Sequence, residues 1–179
     1  GISSMMLMEH ISSMMLSMEH IFVNAFLEVL AETFEGGKPN LGTHFLDHTK
    51  SDGSSNQGFF ATLDSLSPVQ ASSLTSLGLS IAAHTAHSAF HIEATIRSAS
   101  GDRSPNDWQG SFEPRVVDAL EWAAQRQRLK NAHSSIVDLA HNTPVWDQHS
   151  ATGMMATLAH VTYHLGAVKQ ILKLAREVV

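Results

Sequence analysis

The sequence of 179 residues contains no cysteine. Disulfide bonds and thiolate metal ligands are therefore excluded, and any structural zinc would need histidine or carboxylate ligands. A thiol that takes part in a reaction would have to arrive with a small molecule. Because disulfides are absent, cysteine usage does not indicate the redox compartment of the protein.

Positive charge is also scarce, with 11 lysines and arginines against 17 acidic residues and a net charge of −6. Arg126, Arg128 and Lys130 form the only basic cluster, a poor footprint for nucleic acid. The first basic residue, Lys38, comes too late for a signal-peptide n-region, and no uninterrupted apolar run approaches ~20 residues. We therefore expect a cytoplasmic protein with neither a nucleic-acid nor a membrane partner.

Apolar residues make up 43% of the chain, enough for one domain with a hydrophobic core at this length. No segment alternates long enough to indicate a strand. Helical periodicity, cap residues, glycine and proline predict four helices. They cover residues 11–35, residues 67–98 with Ser67 and Pro68 at the start, residues 113–139, and residues 150–179. The prediction is an all-α fold, a four-helix bundle with long connections.

The N-terminus carries a short repeat, in which ISSMMLMEH over residues 2–10 is followed by ISSMMLSMEH over residues 11–20. It is too short to indicate a solenoid. We predict that residues 1–20 are a Met-rich repeat extending helix one, and that residues 14–179 form a single domain. Because methionine packs adaptively, the repeat could cover a partner subunit; a frayed leader is the alternative.

Twelve histidines are present, and three pairs have the spacing HxxxH. His44 and His48 fall in a predicted loop, so we expect surface histidines there. His160 and His164 lie about one turn apart on the last helix, beside an apolar stripe where an unpaired imidazole is costly. They could bind a metal, or they could be core histidines hydrogen-bonded to neighbours.

On helix two, His84, His87 and His91 share roughly one face. If helices two and four meet, one of these imidazoles can complete a three-histidine site with His160 and His164. Three ligands with an open fourth position are typical of catalytic coordination, and imidazole suits zinc, nickel, copper and iron(II). The motifs of zincins, ferritin-like di-iron bundles and α/β-hydrolases are missing from the sequence.

Several segments together resemble the DinB-like superfamily, which includes bacillithiol- and mycothiol-dependent transferases. They are TGMM at residues 152–155, AHVTYHLGAVKQI at 159–171, SIAAHTAH at 80–87, FFATLD at 59–64 and DW at 107–108. The resemblance covers nearly all of the chain after the N-terminal repeat. Its most specific part is the histidine pattern on helices two and four.

The resemblance implies a four-helix bundle, frequent homodimers, and a divalent metal held by His84, His160 and His164. Zinc and nickel are the first expectations, with iron and copper as alternatives. It also implies a metal-dependent thiol S-transferase or hydrolase that takes a small-molecule substrate and a low-molecular-weight thiol. The alternative is a non-catalytic bundle that binds a metal or small ligand. Thr85 departs from the family's usual leucine, and His87 offers a rival position for the first ligand.

Overall fold

Helical segments account for all the regular secondary structure in the computed structural model, which describes residues 3–178. Within that range there are six α-helices, one 3-10 turn at Gly110–Phe112 and no strand. The α-helices are α1 Ser4–Glu35, α2 Phe59–Asp64, α3 Pro68–Ala71, α4 Ile81–Ala99, α5 Ala119–Asn142 and α6 Gln148–Arg176. The all-α prediction is confirmed. The predicted domain bounds include Gly1, Ile2 and Val179, which lie outside the described residues.

The prediction of one helix over residues 67–98 is wrong, because the chain leaves the helix after Ala71. It re-enters at α4, where the Ser80 side chain accepts a hydrogen bond from the third residue of the helix. Between the two helices, Gly78 adopts a φ of 73° and Leu77 is 84% exposed. A left-handed glycine cannot continue a helix, so the helix that carries His84, His87 and His91 begins only at Ile81.

The predicted starts of the last two long helices are also wrong. The start at residue 113 lies six residues before α5, and the start at residue 150 lies two residues after that of α6. Asp118 caps α5, and Asp147 caps α6. Each aspartate accepts a hydrogen bond from the backbone N–H three residues on, and a side chain there bonds back. Such capping boxes satisfy two otherwise free N–H groups, which explains where each helix begins.

The helix α4 lies at the centre of the packing and contacts both α5 and α6, while α1 packs on α6 and α5. Along α4, four buried alanines let its neighbours approach closely: Ala82, Ala83, Ala86 and Ala89. The large core side chains come from all four long helices: Phe26, Leu30, Phe34, Ile92, Trp122, Leu129, Ile136, Val161 and Leu165. Each such side chain contributes roughly 1.5–3 kcal/mol by burial, and together they hold α4 and α6 face to face.

The basic cluster on α5 is paired with acidic residues of two other helices. Arg126 and Lys130 both reach Asp64 of α2, at 3.2 and 3.5 Å. Arg128 contacts both carboxylate oxygens of Glu93 on α4. Such half-exposed pairs contribute about 0–1 kcal/mol each, but they compensate the charge of the cluster.

Glu32 fastens the loop between α1 and α2 to the body. Its buried carboxylate accepts hydrogen bonds from three consecutive backbone N–H groups, of His44, Phe45 and Leu46, at 2.6–3.2 Å. Burial raises the pKa of Glu32, but the three hydrogen bonds and the neighbouring His44 outweigh it and leave the pKa below its ordinary value. The carboxylate is therefore held ionised by the loop that it anchors.

The first half of α1 extends away from the core. Every side chain from Ser4 to Met18 is exposed. Contact with the body of the protein begins at Glu19, whose carboxylate accepts a hydrogen bond from the backbone N–H of Trp146. The Phe22 ring then packs edge-on against the Trp146 indole. Length and composition alone would let α1 cross a membrane. Core helices and signal sequences share those two properties, so they assign no location by themselves.

Replacing the Glu32 carboxylate tests its role in stability. We expect Glu32→Gln to lower the free energy of unfolding by about 1.5–3 kcal/mol at pH 7, because the amide has one acceptor oxygen for three N–H donors. Urea denaturation measures this change. The exposed Glu28→Gln is the control and should stay within about 0.5 kcal/mol.

The low pKa gives that effect a pH dependence. The stabilisation by Glu32 is fully present above its ordinary pKa of 4.5 and is lost as the pH falls through the lower folded value. The difference between wild type and Glu32→Gln should therefore shrink below pH 4.5. A difference that stays constant down to pH 3 would contradict the carboxylate's role.

Candidate metal centre

Two facing helices bring five histidines together in what we call the histidine cluster. His84, His87 and His91 lie on α4, and His160 and His164 lie on α6. Spacings of three and four residues place such side chains on one helix face. Since α4 packs against α6, the two faces meet inside the protein.

Three of these histidines direct ring nitrogens at one another. The Nε2 atom of His160 lies 3.1 Å from Nε2 of His87 and 3.1 Å from Nε2 of His164. Ligand nitrogens at about 2.0–2.1 Å from a tetrahedral zinc lie about 3.3 Å from each other. The observed spacing therefore fits one shared divalent ion with little movement of the rings.

His84, which the resemblance implies as the first ligand, lies beside this group. Its Nδ1 is 2.9 Å from Nδ1 of His164, the nitrogen that points away from the converging atoms. His87, the rival position, provides the third converging nitrogen. Direct ligation by His84 stays a prediction, while its contact suits a residue that orients His164.

Two contacts of Ser111 bear on which nitrogen of His87 carries the hydrogen. The Ser111 hydroxyl donates its only hydrogen to the carbonyl of Trp108. It can therefore only accept from Nδ1–H of His87, which lies 2.7 Å away. A neutral His87 then keeps a lone pair on Nε2, as a metal ligand requires.

The cluster is neutral at physiological pH. Burial, reinforced by neighbouring histidines, lowers the pKa of His87 and of His160 to about 4 and that of His164 to about 3. Burial also lowers the pKa of His84 and of His91. Neutral imidazole is the form that binds metal, so no proton has to be removed from these rings at pH 7.

Two buried nitrogens of the cluster have no hydrogen-bond partner. They are Nδ1 of His91 and Nδ1 of His160, whose rings stack with centroids 3.8 Å apart. Since Nε2 of His87 carries no hydrogen, Nε2 of His160 must donate one to make their hydrogen bond, which leaves Nδ1 of His160 as an unpaired acceptor. A cation bound by all three Nε2 lone pairs would replace the hydrogen bond between His87 and His160 and would leave the hydrogen of His160 on Nδ1. The convergence of the three Nε2 atoms is therefore the feature that fits a divalent ion.

The histidine pair outside the cluster lies on the surface, as its position in a loop predicts. His44 and His48 are both exposed, which confirms the prediction of surface histidines. His44 lies 3.6 Å from the exposed carboxylate of Glu28. Tyr163, between the two α6 histidines, is 73% exposed and sets its ring edge-on against His164.

Ser111 and Phe112 are the site residues that sequence reasoning missed. Phe112 stacks on the His87 ring with centroids 3.9 Å apart and planes 8° apart. Both residues come from a polar loop 24 and 25 positions after His87, and no spacing pattern links them to it. One signal was available. Ser111 and Phe112 come just after Asp107 and Trp108, and those two residues are among the segments that resemble the DinB-like superfamily.

Two surface grooves lie away from the histidine cluster. The larger, of about 400 Å³, separates α4 from α5 and includes Phe90, Glu93 and Arg128. The smaller, of about 200 Å³, includes Arg97 and Arg103 near the end of α4. Neither is lined by a cluster histidine, so neither supplies a substrate path to the converging nitrogens.

Comparison of the chain with protein-family models, curated proteins and solved structures found no match. Function is therefore inferred from the chain's own residues, and membership of the DinB-like superfamily is a proposal.

The depressed pKa values predict how stability depends on pH in the absence of metal. Between pH 6.5 and about 4 the unfolded histidines bind protons while His87 and His160 stay neutral in the folded protein. Because the unfolded state then binds more protons, we expect the free energy of unfolding to fall as the pH is lowered through this range.

Urea denaturation of chelator-treated protein at several pH values measures that slope. The double variant His87→Gln, His160→Gln removes two of the titrating groups and should show a flatter profile. A wild-type profile with no slope between pH 6.5 and 4 would contradict burial of neutral histidines.

Proposed function

We propose that this chain is a divalent-metal-dependent enzyme of the thiol S-transferase or hydrolase type, built as a DinB-like four-helix bundle. The helices α1, α4, α5 and α6 make up the bundle. The observation that carries the proposal is the convergence of three ring nitrogens across α4 and α6, in which Nε2 of His160 lies 3.1 Å from Nε2 of His87 and from Nε2 of His164. Zinc or nickel is the expected ion, with iron and copper as alternatives.

The proposed ligands are His87, His160 and His164. Each ring directs Nε2 at the common centre, and two of the three use Nδ1 to contact a neighbour, Ser111 or His84. Such outer hydrogen bonds hold ligand rings in orientation. Three protein ligands leave a fourth position for water or substrate, as in catalytic zinc sites.

The surroundings of the cluster favour thiol transfer over hydrolysis. Among residues 3–178, no carboxylate is hydrogen-bonded to a ring nitrogen of the cluster, so no acidic side chain at the rings would offset the charge of a bound divalent ion. A divalent ion deprotonates a coordinated thiol outright but only brings bound water to a pKa of about 7. Because the chain has no cysteine, the thiol would be a small cosubstrate that attacks an electrophilic small molecule.

A non-catalytic metal-binding bundle is the second candidate, and burial of the site favours it. His84, His87 and His164 are only 4–9% exposed, and both surface grooves lie elsewhere. In that case the ion would serve sensing or stability, since metal binding adds to folding free energy.

Turnover separates the two candidates: zinc- or nickel-loaded protein should consume an electrophile such as a chlorinated aromatic only when a thiol like bacillithiol is present.

Alanine variants identify the ligands. We expect His87→Ala, His160→Ala and His164→Ala each to lower zinc affinity by more than about 100-fold, because a two-ligand site holds divalent ions poorly. His84→Ala should cost about 10–100-fold, as for a residue that orients a ligand. Competition titration with a chromophoric chelator measures all four constants.

The exposed His44→Ala is the matched control and should bind zinc like wild type. A larger loss for His84→Ala than for His87→Ala would restore His84 as the direct ligand. Zinc binding that survives all three ligand variants would refute the metal site itself.

We further propose a homodimer that pairs the exposed half of α1 with the same segment of a second copy. Met8, Ile11, Met15 and Met18 are 47–67% exposed and follow one another in steps of three and four, the spacing of a helix-pairing seam. The seam runs on into Phe22 at the body of the protein. No lysine or arginine precedes Lys38, so the segment lacks the basic face of membrane-surface helices.

Cytoplasmic location and the absence of nucleic-acid and membrane partners stay predictions.

Sedimentation velocity at micromolar concentration should show a dimer. Deleting residues 1–13, or introducing Met15→Glu into the seam, should shift it toward monomer because both remove apolar area from the pair. Leu120→Glu, at an 83% exposed position on α5, is the control and should leave the dimer intact. A wild-type monomer would contradict the proposed pairing.

A further inference from the structure

Hydrogen bonds within the turn at residues 107–112 hold its backbone. The Asp107 side chain accepts a hydrogen bond from the Gly110 N–H at 3.0 Å, and its carbonyl accepts from the Ser111 N–H at 3.1 Å. A Cβ at Gly110 would lie 2.2 Å from Oδ2 of Asp107, so a larger residue there would displace the Asp107 side chain. The side chains that follow Gly110 are thus presented from a hydrogen-bonded turn.

Two of those side chains hold the His87 ring from different directions. Phe112 stacks flat on the ring and fixes its plane, with centroids 3.9 Å apart. Ser111, 7% exposed, accepts from Nδ1–H and so fixes the rotation of the ring within that plane. The Trp108 carbonyl takes the hydroxyl hydrogen of Ser111 and leaves the serine oxygen only as an acceptor for His87.

We propose that residues 107–112 act as a clamp on His87, in which Ser111 is a positioning residue that forces the Nδ1–H tautomer and aims Nε2 at the metal. The clamp rests on the proposed metal site for its purpose, but its effect on His87 exists without metal. If Ser111 lost its hydroxyl, Nδ1–H would have no acceptor, and His87 could carry its hydrogen on Nε2 instead. A ring in that tautomer has no lone pair for the ion.

The tautomer itself can be measured in chelator-treated protein by ¹⁵N–¹H correlation through the histidine ring. Wild type should show His87 with hydrogen on Nδ1, and Ser111→Ala should shift it toward Nε2. Ser111→Thr keeps a hydroxyl and should retain the wild-type tautomer. Finding Nε2–H in wild type, or no change in Ser111→Ala, would overturn the proposal.

Zinc affinity gives the second readout. Ser111→Ala should bind zinc about 10–100-fold more weakly than wild type, and Ser111→Thr should recover most of that loss. Ser104→Ala, an exposed serine of the same connection, is the control and should match wild type. Zinc affinity equal to wild type in a folded Ser111→Ala would overturn the clamp.

Two further results keep the clamp separate from other effects. Phe112→Leu removes the ring stacking but keeps the Ser111 hydroxyl, so it should leave the His87 tautomer unchanged. It also provides a folded variant if Ser111→Ala does not fold. If wild type bound no zinc, the proposed function would fail, while the ring spectra would still decide whether Ser111 sets the tautomer of His87.

Discussion

The close packing of α4 on α6 is the constraint on which the rest of the site depends. Small residues suit such close packing: α4 carries buried alanines, and the hydroxyls of Thr95 and Thr157 bond across the contact at 2.7 Å. At that separation imidazoles of one helix lie within hydrogen-bond distance of imidazoles of the other, and the Nε2 atoms of His87, His160 and His164 converge.

The imidazoles of the histidine cluster, three of them buried and two half-buried, cost stability unless they stay neutral and find partners. The large apolar side chains of the four long helices offset that cost, and the turn at residues 107–112 packs against the His87 ring. The unpartnered Nδ1 atoms of His91 and His160 show where compensation is incomplete.

Helical periodicity revealed the parts of the site that lie along one helix. The pair His160 and His164 was evident because a spacing of four sets one helical face, whatever the tertiary contacts. The choice between His84 and His87 depends on how α4 is rotated against α6. Those two positions differ by about 60° around the helix, which packing decides and spacing does not.

The remaining differences have equally local causes. A left-handed Gly78 and the Ser80 cap broke the predicted second helix, and capping boxes at Asp118 and Asp147 moved two helix starts. In each case a side-chain hydrogen bond to the backbone overrode a periodic pattern. Ser111 could not be assigned from residue spacing, because its role exists only once the turn at residues 107–112 is folded against α4.

Charge links the composition of the chain to the chemistry of the site. Three neutral imidazoles would leave a divalent ion with its full double charge, and among the described residues no carboxylate hydrogen-bonds the rings to offset it. A buried, uncompensated charge of that size is costly, so the open position should prefer an anion. Under the proposed function, a chain without cysteine would obtain that anion from solution. A thiolate would supply both the negative charge and the soft ligand that such an ion binds, which is the physical reason for proposing a soluble thiol ahead of water.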